Sequence, residues 1–454
     1  MGDGNEGHGG CDGAVADVVV IGGGLGGLAT AAMLARQGRS VTLLEKASSL
    51  GGRAATHVRD GFSWNLGPHA VYRGGRGLQI LTALGVPVTG GVPSTSGNFA
   101  LLGGVKHMLP VGFFSLVSTG LLSLSAKLEI AKLLASIARL DPRPLAEVSV
   151  SAWIDSAARQ PGARALLHAL VRVATYADAP TVQSAGAALA QLQMAAADNV
   201  LYVDGGWATL VSGLRAVAAA AGAELVTSAR VARIEPAGGD HPRRVRLDDG
   251  RSFSARTVVL AGGPGMAHAV CPEVPVLASM AARSIPVRAA CLDVALTSLP
   301  RPSSRFILGI DRPYYASLHS AVARLAPEGG ATIHLAKYLA REEKAGEGVE
   351  RELLDVLDLL QPGWRQVVAD RRFLPSMTVS HAVVTAADGG LPGRPPPSVP
   401  GAPGLFVVGD WVGPEGMLLD ASLASAESAA AIIDAELGLR VRPSRVRAAV
   451  VELA

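Results

Sequence analysis

Three glycines and one acid near the start of this chain have types and spacing suited to a definite chemistry. Gly22-Gly23-Gly24-Leu25-Gly26-Gly27 fits G-x-G-x-x-G, with Gly22, Gly24 and Gly27 at the defining places, and Glu45 stands 23 residues after Gly22. Such a set holds the pyrophosphate and one ribose of a dinucleotide. Gly22 permits a tight turn, and Gly24 lets the backbone approach the pyrophosphate. Gly27 lets a helix pack closely on a strand, and Leu25 and Gly26 complete the loop. Glu45 is placed to accept ribose hydroxyls, and its charge repels a 2′-phosphate, which disfavours NADP. The device alone does not separate NAD from FAD.

The flanking sequence supplies the elements that must position these groups. Residues 17–21, DVVVI, read as a buried parallel strand. Leu25, Leu28, Ala32 and Ala35 then recur at helical spacing until Gly38. Residues 41–44, VTLL, form a second strand that ends on Glu45. Strand, turn, helix, strand and acid in this order give an α/β unit whose helix N-terminus faces the phosphates.

Further segments extend the pattern. Glu45-Lys46 is followed by Leu50-Gly51-Gly52-Arg53-Ala54-Ala55-Thr56 and by Phe62-Ser63-Trp64-Asn65-Leu66-Gly67-Pro68-His69. Near the other end stands Leu405-Phe406-Val407-Val408-Gly409-Asp410-Trp411. From about residue 15 to about 435 the chain resembles the FAD-dependent superfamily of flavin amine oxidases, protoporphyrinogen oxidases and phytoene-desaturase-like dehydrogenases. The resemblance implies non-covalent FAD and an α/β fold, with a discontinuous Rossmann-like FAD-binding domain and an inserted mixed α+β substrate-binding domain. Residues 15–75, 200–265 and 400–435 are expected to form the first. Residues 76–199 and 266–399 are expected to form the second.

The resemblance also extends the cofactor-binding set to Lys46, Gly52, Arg53, Gly67, His69, Val231, Gly409, Asp410, Leu419 and Ala421. Arg53 follows two glycines, so its guanidinium reaches a pyrophosphate with little obstruction; the plain alternative is a surface arginine. Val231 corresponds to a backbone contact with adenine, and Asp410 to an acceptor for the flavin ribitol. Residues 421–430 read as a small-residue helix whose N-terminus faces the isoalloxazine. His69 is read either as a group on the substrate-facing side of the flavin or as a loop histidine bonded to backbone.

The flavin would take a hydride at N5, and the protein would supply orientation, electrostatics and exclusion of water. No nucleophile triad, paired-carboxylate motif or metal cluster stands out, so no catalytic residue is assigned. Amine oxidases of this superfamily flank the flavin with aromatic walls; the matching wall position here is Leu418, which offers no cation–π face. Trp411 is an alternative wall. The segment 409–416 looks more like the phytoene-dehydrogenase branch, which points to an apolar or polyene-like substrate, with oxygen or a quinone as electron acceptor. A flavin amine oxidase releasing peroxide and a non-catalytic lipid-binding escort of the same fold remain as alternatives. Lys337 is read as a lysine near N5 or as a structural lysine. Tyr314, Tyr315 and His319 are read as cavity lining or as ordinary packing, and Trp207 as packing on the cofactor domain.

Composition bounds the rest. The chain has 454 residues, 49% hydrophobic but only 4% aromatic, so it is long enough for two domains packed with small aliphatic side chains. A net charge of +3 gives no footprint for nucleic acid. Cys11, Cys271 and Cys291 are scattered and odd in number, which suits a reducing, cytoplasmic setting without a disulfide framework. Ala261-Gly262-Gly263-Pro264-Gly265 lacks the spacing of a second dinucleotide motif. Residues 1–14 read as a disordered tail and 436–454 as a basic tail with Arg440, Arg442, Arg445 and Arg447. Residues 108–126 carry no charge. They are read either as a buried segment of the substrate domain or as a surface that dips into lipid, a peripheral membrane contact.

Overall fold

The computed structural model describes residues 15–235, 242–343 and 346–440. The expected N-terminal tail, Cys11, and Arg442, Arg445 and Arg447 lie outside the described residues. The fold is mixed α/β, built on two seven-stranded sheets.

In the first sheet, strands run in the order Glu224–Val226, Val41–Leu44, Ala16–Ile21, Ser252–Leu260, Arg243–Leu247 and Val231–Ile234. Leu405–Val407 pairs in parallel with Ser252–Leu260. The apolar run at residues 18–21 has no alternation because both faces of its strand are covered. Val18 and Val20 pack under the helices Leu25–Arg36, Ala208–Ala220 and Leu418–Arg440. Val19 and Ile21 pack with Ala267, Val270 and Leu277 on the opposite side. Gly22 ends the central strand at φ +114°, and a Cβ there would lie 2.5 Å from the Ala261 carbonyl oxygen. The turn therefore requires glycine on both conformational and steric grounds. The third glycine, Gly27, lies so close to the backbone of Gly22 that any Cβ would overlap it.

The second sheet runs Val368–Ser380, Val287–Leu296, Ala331–Leu339, Tyr314–Leu318, Phe306–Gly309, Asn98–Leu102 and Val105–Met108. Period-two alternation splits its strands between two clusters. Ala290, Leu292, Leu335 and Leu339 pack against the helix Glu347–Leu360. Ala289, Cys291, Ala336 and Tyr338 face the other way, around Tyr176.

Residues 108–126 divide between the two readings of them. Leu109, Leu121, Leu122 and Ala126 are buried against the helix Pro161–Thr175. The short helix Phe113–Ser118 lies on the surface, with Phe113 75% and Phe114 86% exposed. Leu124 and Leu128, on the next helix, are also exposed. Among the described residues no helix is long and apolar enough to cross a membrane. The helix Leu418–Arg440 runs five residues into the stretch read from sequence as a tail.

Asp420 ties the start of that helix to the helix Arg76–Ala83. One carboxylate oxygen accepts the Gly77 N–H at 2.8 Å, and the other is buried without a partner. Burial pushes this carboxyl up to about 6; Glu415 adds to the rise and the Gly77 bond opposes it. The folded state thus holds a proton that the unfolded chain releases near pH 4. The penalty for ionising Asp420 is absent below about pH 4 and complete above about pH 6. Relative to an Asp420→Asn variant, the wild type should lose about 2–3 kcal/mol of stability across that window. Denaturant titrations at pH 4.5 and 7 measure this; parallel pH profiles for the two proteins would refute it.

Candidate functional site

A cleft of about 560 Å³ opens beyond the C-terminal ends of the first sheet's parallel strands and reaches the inner face of the second sheet. This is within the range of small-molecule sites, at the place where open α/β sheets bind ligands. The helix Leu25–Arg36 points its N-terminus at this cleft. Its N-cap, Gly24, has no side-chain cap and no acid lies in the first turn. Its unpaired N–H groups are therefore available to an anion.

Glu45 stands at the rim of the same turn. One oxygen accepts the Gly23 N–H at 2.7 Å and the other the Ala47 N–H at 2.8 Å. A carboxylate has about four acceptor positions, so two remain for hydroxyls. Lys46, Ala229, Arg230 and Val231 line the cleft beside it.

Across the cleft the Arg53 guanidinium gathers three groups. It donates to Asp410 at 2.7 Å and to the Val379 carbonyl at 2.7 Å, and it meets His381 Nδ1 at 3.2 Å. His381 Nδ1 also lies 3.0 Å from Asp410. Burial alone would raise the Asp410 carboxyl, but the Arg53 charge and the bonds to His381 more than offset it and hold it well below the usual range. The Gly409–Gly416 segment is fixed from behind by Arg394, which donates to the carbonyls of Asp410, Glu415 and Gly416 at 3.2, 3.1 and 2.8 Å. Burial pushes the Arg394 guanidinium down to about 10, so it stays charged at neutral pH.

The far end of the cleft is apolar. Leu66, Ala289, Cys291, Ala336, Met377 and Leu418 line it together with Tyr176. Gly67 leaves room for the Cys291 sulfur, which a Cβ would approach to 2.7 Å.

Of the residues selected from sequence, Gly22, Gly24, Leu25, Gly26, Glu45, Lys46, Gly52, Arg53, His69, Val231, Gly409, Asp410 and Leu419 line this one cleft. Gly27, Gly67 and Ala421 stand behind its wall, where they set close packing. His69 combines both of its readings: it lines the cleft, and its ring nitrogens each lie 3.0 Å from a backbone carbonyl, of Gly67 and Arg53. Trp207 packs edge-on against it at 4.6 Å.

For the remaining residues the structural or packing alternative holds. Trp411 is no cleft wall: it is buried in the first sheet's core and donates to the Gly262 carbonyl at 2.9 Å. Lys337 is on the outer face of the second sheet, paired with Glu343 and Glu352 at 2.9 and 2.8 Å. Tyr314 joins Glu352 on that same face. Tyr315 and His319 are packed together beneath the cleft, 3.0 Å apart, with His319 stacked on Tyr202. The sequence reading missed Tyr176, Ala289, Cys291, Ala336, Met377, His381 and Arg394. They belong to no local motif; the sheet and the Arg53 contacts bring them in.

Residues 25–434 match the family described as flavin containing amine oxidoreductase. The chain is 54% identical over 52 residues to a carotenoid 3,4-desaturase of Haloarcula japonica and 52% identical over 54 residues to a zeta-carotene-forming phytoene desaturase of Myxococcus xanthus. Each match covers 12% of this chain and 10% of the relative, so it spans about a tenth of those proteins. A crystal structure of an oxidoreductase from Methanosarcina mazei is 23% identical, with a TM-score of 0.73 over 90% of this chain and 99% of that one. At that identity the likeness shows a shared fold.

Gly24 allows a clean test of the cleft. Its φ is −74°, and a Cβ would meet only the Gly51 carbonyl oxygen, at an ordinary 3.9 Å. Gly24→Ala should therefore fold with an unchanged melting temperature. Its methyl group would narrow the phosphate approach and weaken FAD retention by about tenfold or more. Flavin content after dialysis, measured by absorbance, checks this. Full retention would place the pyrophosphate elsewhere.

Proposed function

The chain belongs to the family of flavin containing amine oxidoreductases, and from that premise we propose that it is an FAD-dependent dehydrogenase of an apolar, polyene-like molecule. One cleft carries the reading, because it joins a dinucleotide cradle to an apolar slot. We assign the cradle to residues 15–75, 200–265 and 400–435, and the substrate-binding part to 76–199 and 266–399.

The residues fit the cofactor. The uncapped helix N-terminus and Arg53 offset the pyrophosphate charge, and Glu45 has free acceptor positions for ribose hydroxyls. Asp410, held ionised by Arg53, presents a carboxylate for the ribitol. Bound FAD supplies the acceptor for a hydride. The protein's part is to orient the substrate in the slot and keep water out, with Ala289, Cys291 and Ala336 almost fully buried at its floor. Oxygen or a quinone would take the electrons onward.

Leu418 favours an apolar substrate over an amine, because an aliphatic wall gives an ammonium no stabilisation. The short matches to two carotenoid desaturases point the same way. An escort role without catalysis would leave the uncapped helix N-terminus and the free acceptor positions of Glu45 unused.

The exposed side chains within residues 111–128 suit peripheral contact with an anionic bilayer. Phe113, Phe114, Val117, Leu124 and Leu128 are exposed, and the exposed Lys132 lies further along the helix of Leu124. Glu129, the acid in this region, is already bonded to the N–H groups of Arg159 and Gln160. A greasy substrate would reach the protein from that bilayer.

Purified protein should show flavin absorption that passes wholly into the supernatant on acid precipitation. Anaerobic mixing with a carotenoid precursor should bleach the flavin bands, and mixing with primary amines should not. The opposite pattern would make it an amine oxidase, and a protein that refuses FAD would sink both enzyme readings. Separately, a Phe113→Ser/Phe114→Ser variant should keep its flavin but lose tenfold or more in cosedimentation with phosphatidylglycerol vesicles, at about 1.5–3 kcal/mol per aromatic ring. Unchanged cosedimentation would remove this surface from membrane contact.

A further inference from the structure

Among the described residues, five that are not glycine have positive φ: Asp60, Tyr176, Asn199, Ser228 and Leu418. Asp60, Asn199 and Ser228 are small polar residues that tolerate this region in turns. Tyr176, at φ +57°, and Leu418, at φ +55°, are bulky, and both line the apolar end of the cleft. Backbone strain held at two places on one slot marks side chains whose direction matters.

Tyr176 is placed there by the end of the helix Pro161–Thr175, where it is the C-cap. Its ring is held by Tyr315 and Tyr338, with centroids 6.4 and 6.3 Å away. Only 9% of the residue is exposed, yet its hydroxyl makes no hydrogen bond to any described residue. The hydroxyl itself keeps access to the cleft that the residue lines, so an oxygen of a bound ligand can pair with it. Burial pushes the phenol well above its ordinary value, so it remains an O–H donor throughout the working pH range. No carboxylate lies among the residues of the apolar end; Glu45 and Asp410, elsewhere on the cleft, are bonded to backbone and to Arg53.

We propose that the Tyr176 hydroxyl donates a hydrogen bond to an oxygen of the substrate, so that the slot selects an apolar molecule bearing a carbonyl, hydroxyl or ether group. This rests on the functional reading above and narrows its substrate class, from any polyene to an oxygenated one. Tyr176 is then a specificity-determining residue, and Leu418 the apolar surface that confines the rest of the molecule.

The test uses FAD-loaded protein and three probes of similar size: 4-phenylbutan-2-one, pentylbenzene and 4-phenylbutylamine. Binding is read from quenching of tryptophan fluorescence, since Trp207 lines the cleft, and from perturbation of the flavin band. Tyr176→Phe should weaken the ketone about fivefold, the worth of one neutral hydrogen bond, and leave the hydrocarbon unchanged. The ketone carbonyl stretch should move to lower frequency in the wild-type complex and not in Tyr176→Phe. Equal ketone affinity in both proteins, or no carbonyl shift, overturns the proposal. So does an amine that binds tightest and is the probe weakened by Tyr176→Phe. A protein that binds no flavin instead fails the functional reading, and the fluorescence titration still decides the role of Tyr176.

Discussion

The contact between Arg53 and Asp410 is where the distant parts of this chain are joined. Arg53 comes from the loop after the second strand, Asp410 from the end of the last strand, and Val379 and His381 from the end of the second sheet's long edge strand. One planar guanidinium, with donors fixed in a fork, can satisfy all three at once where an ammonium could not hold the geometry. The Asp410 carboxylate is almost wholly buried, a position that a charge occupies only with such a partner. The joint thus bridges the two sheets across the cleft. Arg394 keeps the Asp410 segment from shifting, through backbone carbonyls alone.

The cleft is divided by chemistry as well as by chain. At one end the helix N-terminus, Glu45 and Arg53 offer charge and N–H groups to a polar ligand. At the other, small side chains on the inner face of the second sheet leave space that water gains little by filling. Ala289 and Ala336 matter because of their small size: larger residues at these positions on neighbouring strands would close the slot. The division explains how one low-aromatic composition serves both ends, with glycine opening one and alanine the other.

Local devices were legible in the sequence, and contacts across the sheets were not. The glycine turn, the Leu25–Arg36 helix and Glu45 form a unit in which every spacing is set by one strand and one helix, so periodicity and turn chemistry suffice to place them. The α/β class followed from the same unit. Lys337 shows where such reading ends. Residues 331–339 are buried on both faces, so the hydrophobic alternation that would have revealed which side Lys337 occupies is missing. Tyr176 and His381 sit at element ends, where direction depends on a single backbone torsion or on a distant partner. Residues 108–126 failed to resolve for a different reason: composition averages over a stretch of which half is core and half is surface.

The placement of Lys337 has an evolutionary corollary. On the strand Ala331–Leu339, Ala336 faces the cleft while Lys337 faces Glu343 and Glu352. Because a strand repeats every two residues, a one-residue slip exchanges the two faces throughout its length. Deletion of a single residue before Ala331 would thus carry Lys337 to the place of Ala336 and bring an ammonium to the floor of the slot without any substitution there. Descendants of this fold could change the electrostatic character of the site by a change in length alone, while the glycine turn, built on the other sheet, kept its form.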